Sequence, residues 1–149
     1  MAANRLWTVT RMPADVHPPR VLIDTNVLVS AVLRGGVPGA IVESAREGRT
    51  NGVVSLHILG ECRDVLTRSR LGVDVALVDS LVEEIAGFCE VLAVECASES
   101  WSADPDDDPV VEAALCGRVD VVVTGDAHLL ALAVPGVRFI RPAELVTEL

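Results

Sequence analysis

Four acidic residues lie at positions where α/β proteins commonly have their functional site. Two of them, Asp24 and Asp126, follow apolar runs that are predicted to be strands. Glu61 lies early in a predicted helix, and Asp107 lies in an acidic loop that directly precedes a second predicted helix. Sites in open parallel sheets form at the carboxyl ends of the strands. We therefore expect the chain to bring these four carboxylates to one edge of a sheet.

Carboxylates gathered in this way indicate a metal site. Several negative charges in one place repel each other unless a cation lies among them. Ligands that are all oxygen favour Mg²⁺ or Mn²⁺ over zinc. Such an ion lowers the pKa of a water molecule and neutralises charge on a phosphate under attack. The pattern is therefore typical of a site that hydrolyses phosphodiester bonds.

Taken singly, each acid has a simpler explanation. Asp24 and Asp126 can cap helices, because a carboxylate near a helix N-terminus is stabilising. Glu61 can be a solvated helix residue, and the acidic run at 104–108 can be a solvated loop. The metal site is favoured because two strand ends and two flanking helices all present carboxylates.

Short apolar runs alternate with helical patterns along the chain, which predicts an α/β fold with a parallel sheet between helical layers. The predicted strands are 20–24, 51–55, 91–94, 119–124 and 137–140. The predicted helices begin after a cap at Thr25 or Asn26 and then cover 38–48, 56–70, 74–89, 109–117, 126–133 and 142–149. Residues 1–19, with three prolines, are predicted to be a flexible tail, and 20–149 a single domain.

Composition excludes several classes of function. All 12 basic residues are Arg, so the chain has no P-loop lysine, no Schiff-base lysine and no receiver-domain lysine. Aromatic residues make up 3% of the chain, too few for the stacking platforms that bind single-stranded nucleic acid. No apolar run reaches the roughly 18 residues of a membrane span, and the N-terminus lacks the apolar centre of a secretory signal. We therefore expect a cytoplasmic protein with no membrane contact.

The four cysteines show no Cys-x-x-Cys spacing, which argues against a zinc site or a disulfide framework. We expect them to be small buried hydrophobic residues in a reducing compartment.

Four segments in series resemble the PIN-domain family, and in particular its VapC-like toxins from bacterial toxin–antitoxin pairs. They are VLIDTNVLVSAVL, SLHILGECRDVLTR, DPDDDPVVEAALCG and VDVVVTGDAHLLAL, and the resemblance runs from about Arg20 to Leu145. It implies a Mg²⁺- or Mn²⁺-dependent endoribonuclease. It also implies a three-layer α/β/α fold with a central, mostly parallel five-stranded sheet.

The resemblance places the family's catalytic and metal-binding acids on Asp24, Glu61, Asp107 and Asp126. Asn26 and Thr124 match the polar positions that steady the carboxylates. Similar proteins often have Asn where this chain has Asp108, so Asp108 remains an alternative to Asp107.

The resemblance also implies an RNA substrate, a small antitoxin partner and a homodimer. The net charge of −10 attracts a basic chain, whose Arg side chains would compete with metal at Asp24 and Asp126. An apolar groove between the early helices could take an amphipathic helix. Its predicted lining is Val29, Val32, Leu33, Leu59 and Val65, although we expect at least half of these side chains to fill the domain's own core instead. The same charge opposes RNA, although arginines at 34, 46, 49, 63, 68 and 70 could form a basic rim.

Two other functions are compatible with part of the sequence. A catalytically silent PIN-like module would bind RNA or protein without cleaving it, and the retention of four acids argues against that reading. A phosphatase or receiver would use Asp24 as a phosphate acceptor. Receivers need the missing lysine, and haloacid-type phosphatases need a second Asp where this chain has Asn26.

Overall fold

The computed structural model describes residues 17–93 and 108–149. In these ranges, strands and helices alternate as expected. The elements are β1 (Arg20–Ile23), α1 (Thr25–Arg34), α2 (Gly36–Arg46), β2 (Asn51–Ser55), α3 (Leu56–Leu66), a 3₁₀ turn (Ser69–Leu71), α4 (Val75–Phe88), β3 (Glu90–Leu92), α5 (Asp108–Cys116), β4 (Val121–Val123), α6 (Ala127–Leu130), β5 (Arg138–Ile140) and α7 (Pro142–Val146).

The strands form one sheet in the order β3-β2-β1-β4-β5, and every pairing is parallel. The predicted α/β fold with a five-stranded sheet is thus confirmed, with the sheet parallel throughout. Central β1 is buried, and Val21, Leu22 and Ile23 are at most 1% exposed. The strands after β1 are added first on one side of it, as β2 and β3, and then on the other side, as β4 and β5. This change of direction creates a topological switch point at the carboxyl ends of β1 and β4.

Several elements end earlier than their apolar patterns predict. The first strand stops at Ile23 because Asp24 caps α1 directly. The predicted helix 56–70 ends at Leu66, and a separate 3₁₀ turn follows it. Helix α6 ends at Leu130, before a tight turn that contains Gly136 at φ +81°. The apolar pattern continues beyond the end of α6 because Leu132 and Val134 also pack against the core.

The predicted tail falls mainly on residues 1–16, which lie outside the described residues. Next to it, the carbonyl groups of Pro18 and Pro19 accept hydrogen bonds from the side chain and backbone of Asn51. Residues 18 and 19, which the sequence assigns to the tail, are thus attached to β2.

Two cysteines behave as expected and one does not. Cys62 and Cys89 are buried free thiols, and burial raises the pKa of each to about 11. Cys116 is disulfide-bonded, so the expectation of no disulfide is wrong for this residue. Spacing along the sequence does not report the Cα–Cα distance that decides whether a disulfide can form. Cys96 lies outside the described residues.

Across the described ranges, no single helix is long and apolar enough to cross a membrane; only α1 and α2 taken together reach that length, and they are bent by 106°. The expected cytoplasmic location stays a prediction.

Gly52 in β2 is packed so closely that adding one methyl group to it should destabilise the protein. A Cβ atom at Gly52 would lie 2.7 Å from the Ala45 Cβ atom and 2.8 Å from the Cys89 sulfur. We expect Gly52→Ala to lower the free energy of unfolding by about 1–3 kcal/mol, the range for overpacked cores, as measured by urea denaturation.

The matched control is Gly87→Ala in α4, where an added Cβ atom meets nothing within 4 Å. It should raise the free energy of unfolding by up to about 1 kcal/mol, since alanine is the better helix former. Equal stability of the two variants would contradict the packing described for β2.

Candidate functional site

Asp24 lies at the centre of the candidate site and is 6% exposed. Its Oδ1 atom accepts a hydrogen bond from the Thr25 amide at 2.8 Å, which makes Asp24 the N-cap of α1. Its Oδ2 atom accepts from the Thr124 hydroxyl at 2.7 Å and from the Asn26 amide group at 3.2 Å. The alternative in which Asp24 caps the helix is therefore confirmed, and the cap predicted at Thr25 or Asn26 is wrong by one or two residues.

The pKa of Asp24 is raised above its ordinary value. Burial is the largest cause, because it disfavours the charged form. Hydrogen bonds from Thr124 and Thr25 act in the opposite direction, whereas the charges of Glu61 and Asp126 raise the pKa further. The other two acids therefore lie close enough to act on Asp24 electrostatically.

Glu61 reaches the site from α3. Its Oε2 atom accepts a hydrogen bond of 2.9 Å from the Thr25 hydroxyl, beside Asp24. Its Oε1 atom lies 2.8 Å from Nε2 of His57, one helical turn earlier. Ser55 fixes the start of this helix, since its hydroxyl accepts from the Ile58 amide. Glu61 is thus tied both to its own helix and to α1.

Asp126 is placed by the loop that follows β4. Its Oδ1 atom accepts from the His128 amide at 2.7 Å, so it caps α6. Its own amide donates to the Thr124 hydroxyl at 3.0 Å, and that hydroxyl also donates to Asp24. Across the same gap, the Asn26 side-chain oxygen accepts from the Gly125 amide at 3.1 Å. Thr124 and Asn26 therefore connect Asp24 to the loop that carries Asp126; that they support catalytic acids stays a prediction.

Helix capping and a shared site are compatible explanations for these aspartates. Each cap uses the Oδ1 atom. The Oδ2 atom of Asp24 bonds instead to side chains that connect the two strand ends. Capping therefore fixes where the carboxyl groups lie, and it uses one hydrogen bond to each Oδ1 atom.

The three described acids open onto one cavity of about 360 Å³. Its lining comprises Asp24, Thr25, Asn26, Val29, Ser30, Glu61, Val65, Val110 and Asp126. Asp107 lies outside the described residues, and Asp108 is the first residue of α5. Val110, in the first turn of that helix, belongs to the lining, so α5 begins beside the cavity.

The donor set suits a hard divalent cation. The described part of the chain contains no group of three or more His, Cys, Asp or Glu side chains that could hold a metal ion. Three carboxylates nevertheless share one cavity, and two of them raise the pKa of the third. A cation would offset this repulsion, and oxygen ligands match Mg²⁺ or Mn²⁺.

Two contacts of Glu61 were not predicted. The sequence predicts Thr25 only as a helix cap, and the pattern of acidic residues gives no role to His57. The spacing of His57 and Glu61, four residues apart on a helix, was a usable signal because such residues are neighbours on one face. No local pattern could have indicated Thr25, since its contact depends on how α1 packs against α3. His128 contributes its backbone amide to Asp126.

The predicted apolar groove is present with a different lining. Val32 and Leu33 line a groove of about 530 Å³ between α1, α2 and α4. Val29 and Val65 instead line the acidic cavity, and Leu59 is buried in the core. The groove prediction is wrong for these three residues because successive positions on α1 and α3 face different surfaces.

Three of the arginines expected at a basic rim have acidic partners. Arg46 pairs with Glu43 and Glu84. Arg49 pairs with Glu47, and Arg63 with Asp79. These partners neutralise the arginines locally, which argues against their forming a common rim beside the acids.

The model of the family described as PIN domain matches residues 20–128. This chain belongs to the PIN domain family. The matched range carries Asp24, Glu61 and Asp126, so the three acids at the cavity lie in the part of the chain that defines the family.

The chain has the same fold as a protein in the crystal structure of VapBC2 from Rickettsia felis bound to a DNA fragment from their promoter. The PIN domain described here is 13% identical to the matched chain, with a TM-score of 0.57. The match covers 80% of this chain and 96% of that chain. No curated protein matches the sequence significantly.

The raised pKa of Asp24 predicts an effect on stability. In a chelating buffer, Asp24→Asn should raise the melting temperature at neutral pH. A raised folded-state pKa means that the folded protein disfavours the ionised form more than the unfolded chain does. This penalty is full above the folded pKa and disappears as the pH falls through it towards the ordinary value of 3.8. The gain of the variant over wild type should therefore shrink on acidification.

The control is Asp64→Asn, which changes an exposed acid of α3. Thermal unfolding of this variant should show no comparable pH-dependent gain. A lower melting temperature for Asp24→Asn than for wild type at neutral pH would mean that the hydrogen bonds to the carboxylate outweigh the cost of its charge.

Proposed function

We propose that this PIN domain is an endoribonuclease that uses Mg²⁺ or Mn²⁺ to hydrolyse RNA phosphodiester bonds, and that it is the toxin of a toxin–antitoxin pair. The main support is that three acids share one cavity, where two of them raise the pKa of the third. Asp24 directly follows β1, Glu61 lies on α3 and Asp126 lies in the loop after β4. Family membership and the fold shared with VapBC2 also support it.

In this proposal, the residues of the acidic cavity either hold the cation or orient the residues that hold it. The cation would be held by Asp24, Glu61 and Asp126, together with Asp107 or Asp108. When bound, it supplies a water molecule of lowered pKa and neutralises charge on the phosphate. Asn26 and Thr124 orient the Asp24 carboxylate. Thr25 holds Glu61 beside it.

A silent binding module remains the second candidate, and one observation favours it. The described residues alone do not provide three ligands placed to hold an ion. If the fourth acid also fails to complete the set, the cavity would bind without cleaving. Cation-dependent RNA cleavage by purified protein decides between the two functions.

The nuclease proposal predicts which carboxylates are essential. Asp24→Asn and Glu61→Gln should each lower the rate of RNA cleavage by more than about 100-fold, beyond the 10- to 100-fold losses typical of residues that only support metal ligands. Cleavage of a fluorescent RNA should require Mn²⁺ or Mg²⁺ and stop with EDTA.

Asp64→Asn, on the same helix as Glu61, should keep wild-type activity. Full activity of Asp24→Asn or Glu61→Gln would remove that residue from the site. An inactive wild-type protein that still binds RNA would favour the silent module.

We also propose a short basic antitoxin as partner, with its apolar helix in the groove between α1, α2 and α4. Leu33 and Leu77 line this groove and remain 43% and 54% exposed. The net charge of −10 favours a basic partner. Arginines of that partner would compete with metal at Asp24 and Asp126. The expected homodimer stays a prediction.

The partner can be tested by co-expression with the product of the small neighbouring reading frame that the toxin–antitoxin proposal predicts. Leu77→Asp should abolish co-purification, because a charge in an apolar interface is costly to desolvate. Leu149→Asp, at a 38% exposed leucine outside the groove lining, should not. Equal co-purification of both variants would place the partner elsewhere.

A further inference from the structure

Glu61 is held differently from the other two acids of the cavity. Asp24 is buried, whereas the Glu61 side chain is 44% exposed. A long exposed side chain has many rotamers, and ordering it costs conformational entropy. Both Glu61 oxygens nevertheless have partners, with the Thr25 hydroxyl on Oε2 and His57 Nε2 on Oε1.

We propose that His57 is a positioning residue for Glu61. It holds Oε1 while Thr25 holds Oε2, so the carboxylate is oriented before a cation or substrate arrives. This inference rests on the proposed function, because it assigns His57 a role in preparing a ligand of the same cation.

The location of His57 fits a supporting role. It lies in the first turn of α3, where the Ser55 cap fixes the backbone. It is absent from the lining of the acidic cavity and lines a neighbouring cavity of about 560 Å³ with Leu92, Pro109 and Glu112. His57 therefore acts on the site through Glu61 and has no contact with the cavity that would make it a catalytic residue.

Stability alone does not account for this contact. Both side chains are about 45% exposed, and exposed pairs four residues apart on a helix contribute little to folding. Groups that orient a metal ligand have a larger effect on the site, and their loss typically lowers metal affinity or activity 10- to 100-fold. The two explanations therefore differ in what a substitution should change.

The test compares His57→Gln with His57→Asn in the full chain. The amide nitrogen of Gln reaches about as far from the backbone as Nε2 of His, whereas Asn is one methylene shorter. Calorimetric titration with Mn²⁺ alone should show affinity lowered about tenfold for His57→Asn and near wild type for His57→Gln. Cleavage of RNA should show a lower kcat for His57→Asn with little change in KM, while both variants keep the wild-type melting temperature.

The outcomes are distinguishable. If wild type binds Mn²⁺ and cleaves RNA while both variants match it, the role of His57 is overturned and the proposed function stands. Tighter Mn²⁺ binding by His57→Asn also overturns it, because His57 would then compete with the cation for Glu61. If wild type neither binds Mn²⁺ nor cleaves RNA, both proposals fail.

Discussion

The buried carboxylate of Asp24 is the constraint on which this edge of the sheet depends. Strands β1 and β4 pair in parallel with Ile23 opposite Val123, so the next residues, Asp24 and Thr124, emerge side by side. The Asp24 amide donates to the Val123 carbonyl, and its carboxylate accepts from Thr124. One residue thus ends the central strand, begins α1 and joins the loop that carries Asp126.

The position of Asp24 lowers the stability of the folded protein at neutral pH. Burial and two neighbouring charges disfavour the ionised form of Asp24, and its hydrogen bonds only partly compensate. Proteins commonly accept such a local cost at functional sites. In the proposed function, a divalent cation would lower the electrostatic cost of holding three carboxylates together.

Much of this organisation could be predicted from the sequence because it depends on local patterns. Alternating apolar runs indicated the parallel sheet, and Asp24 and Asp126 follow strands directly, so their places at the strand ends were predictable. The contact of Thr25 with Glu61 was not, because it joins residues 36 positions apart through the packing of α1 on α3. The disulfide of Cys116 was not predictable for the same reason, because it depends on how distant parts of the chain pack. The same holds for Val29 and Val65, which line the acidic cavity instead of the groove.

The central proposal is that Asp24, Glu61 and Asp126, together with Asp107 or Asp108, hold one cation. A crystal soaked in Mn²⁺ and measured at a wavelength where manganese scatters anomalously tests this most directly. The account predicts an anomalous peak in the cavity between these residues, with carboxylate oxygens at about 2 Å, the distance typical of small hard cations. A cavity without a peak, or manganese bound only elsewhere on the acidic surface, would contradict it.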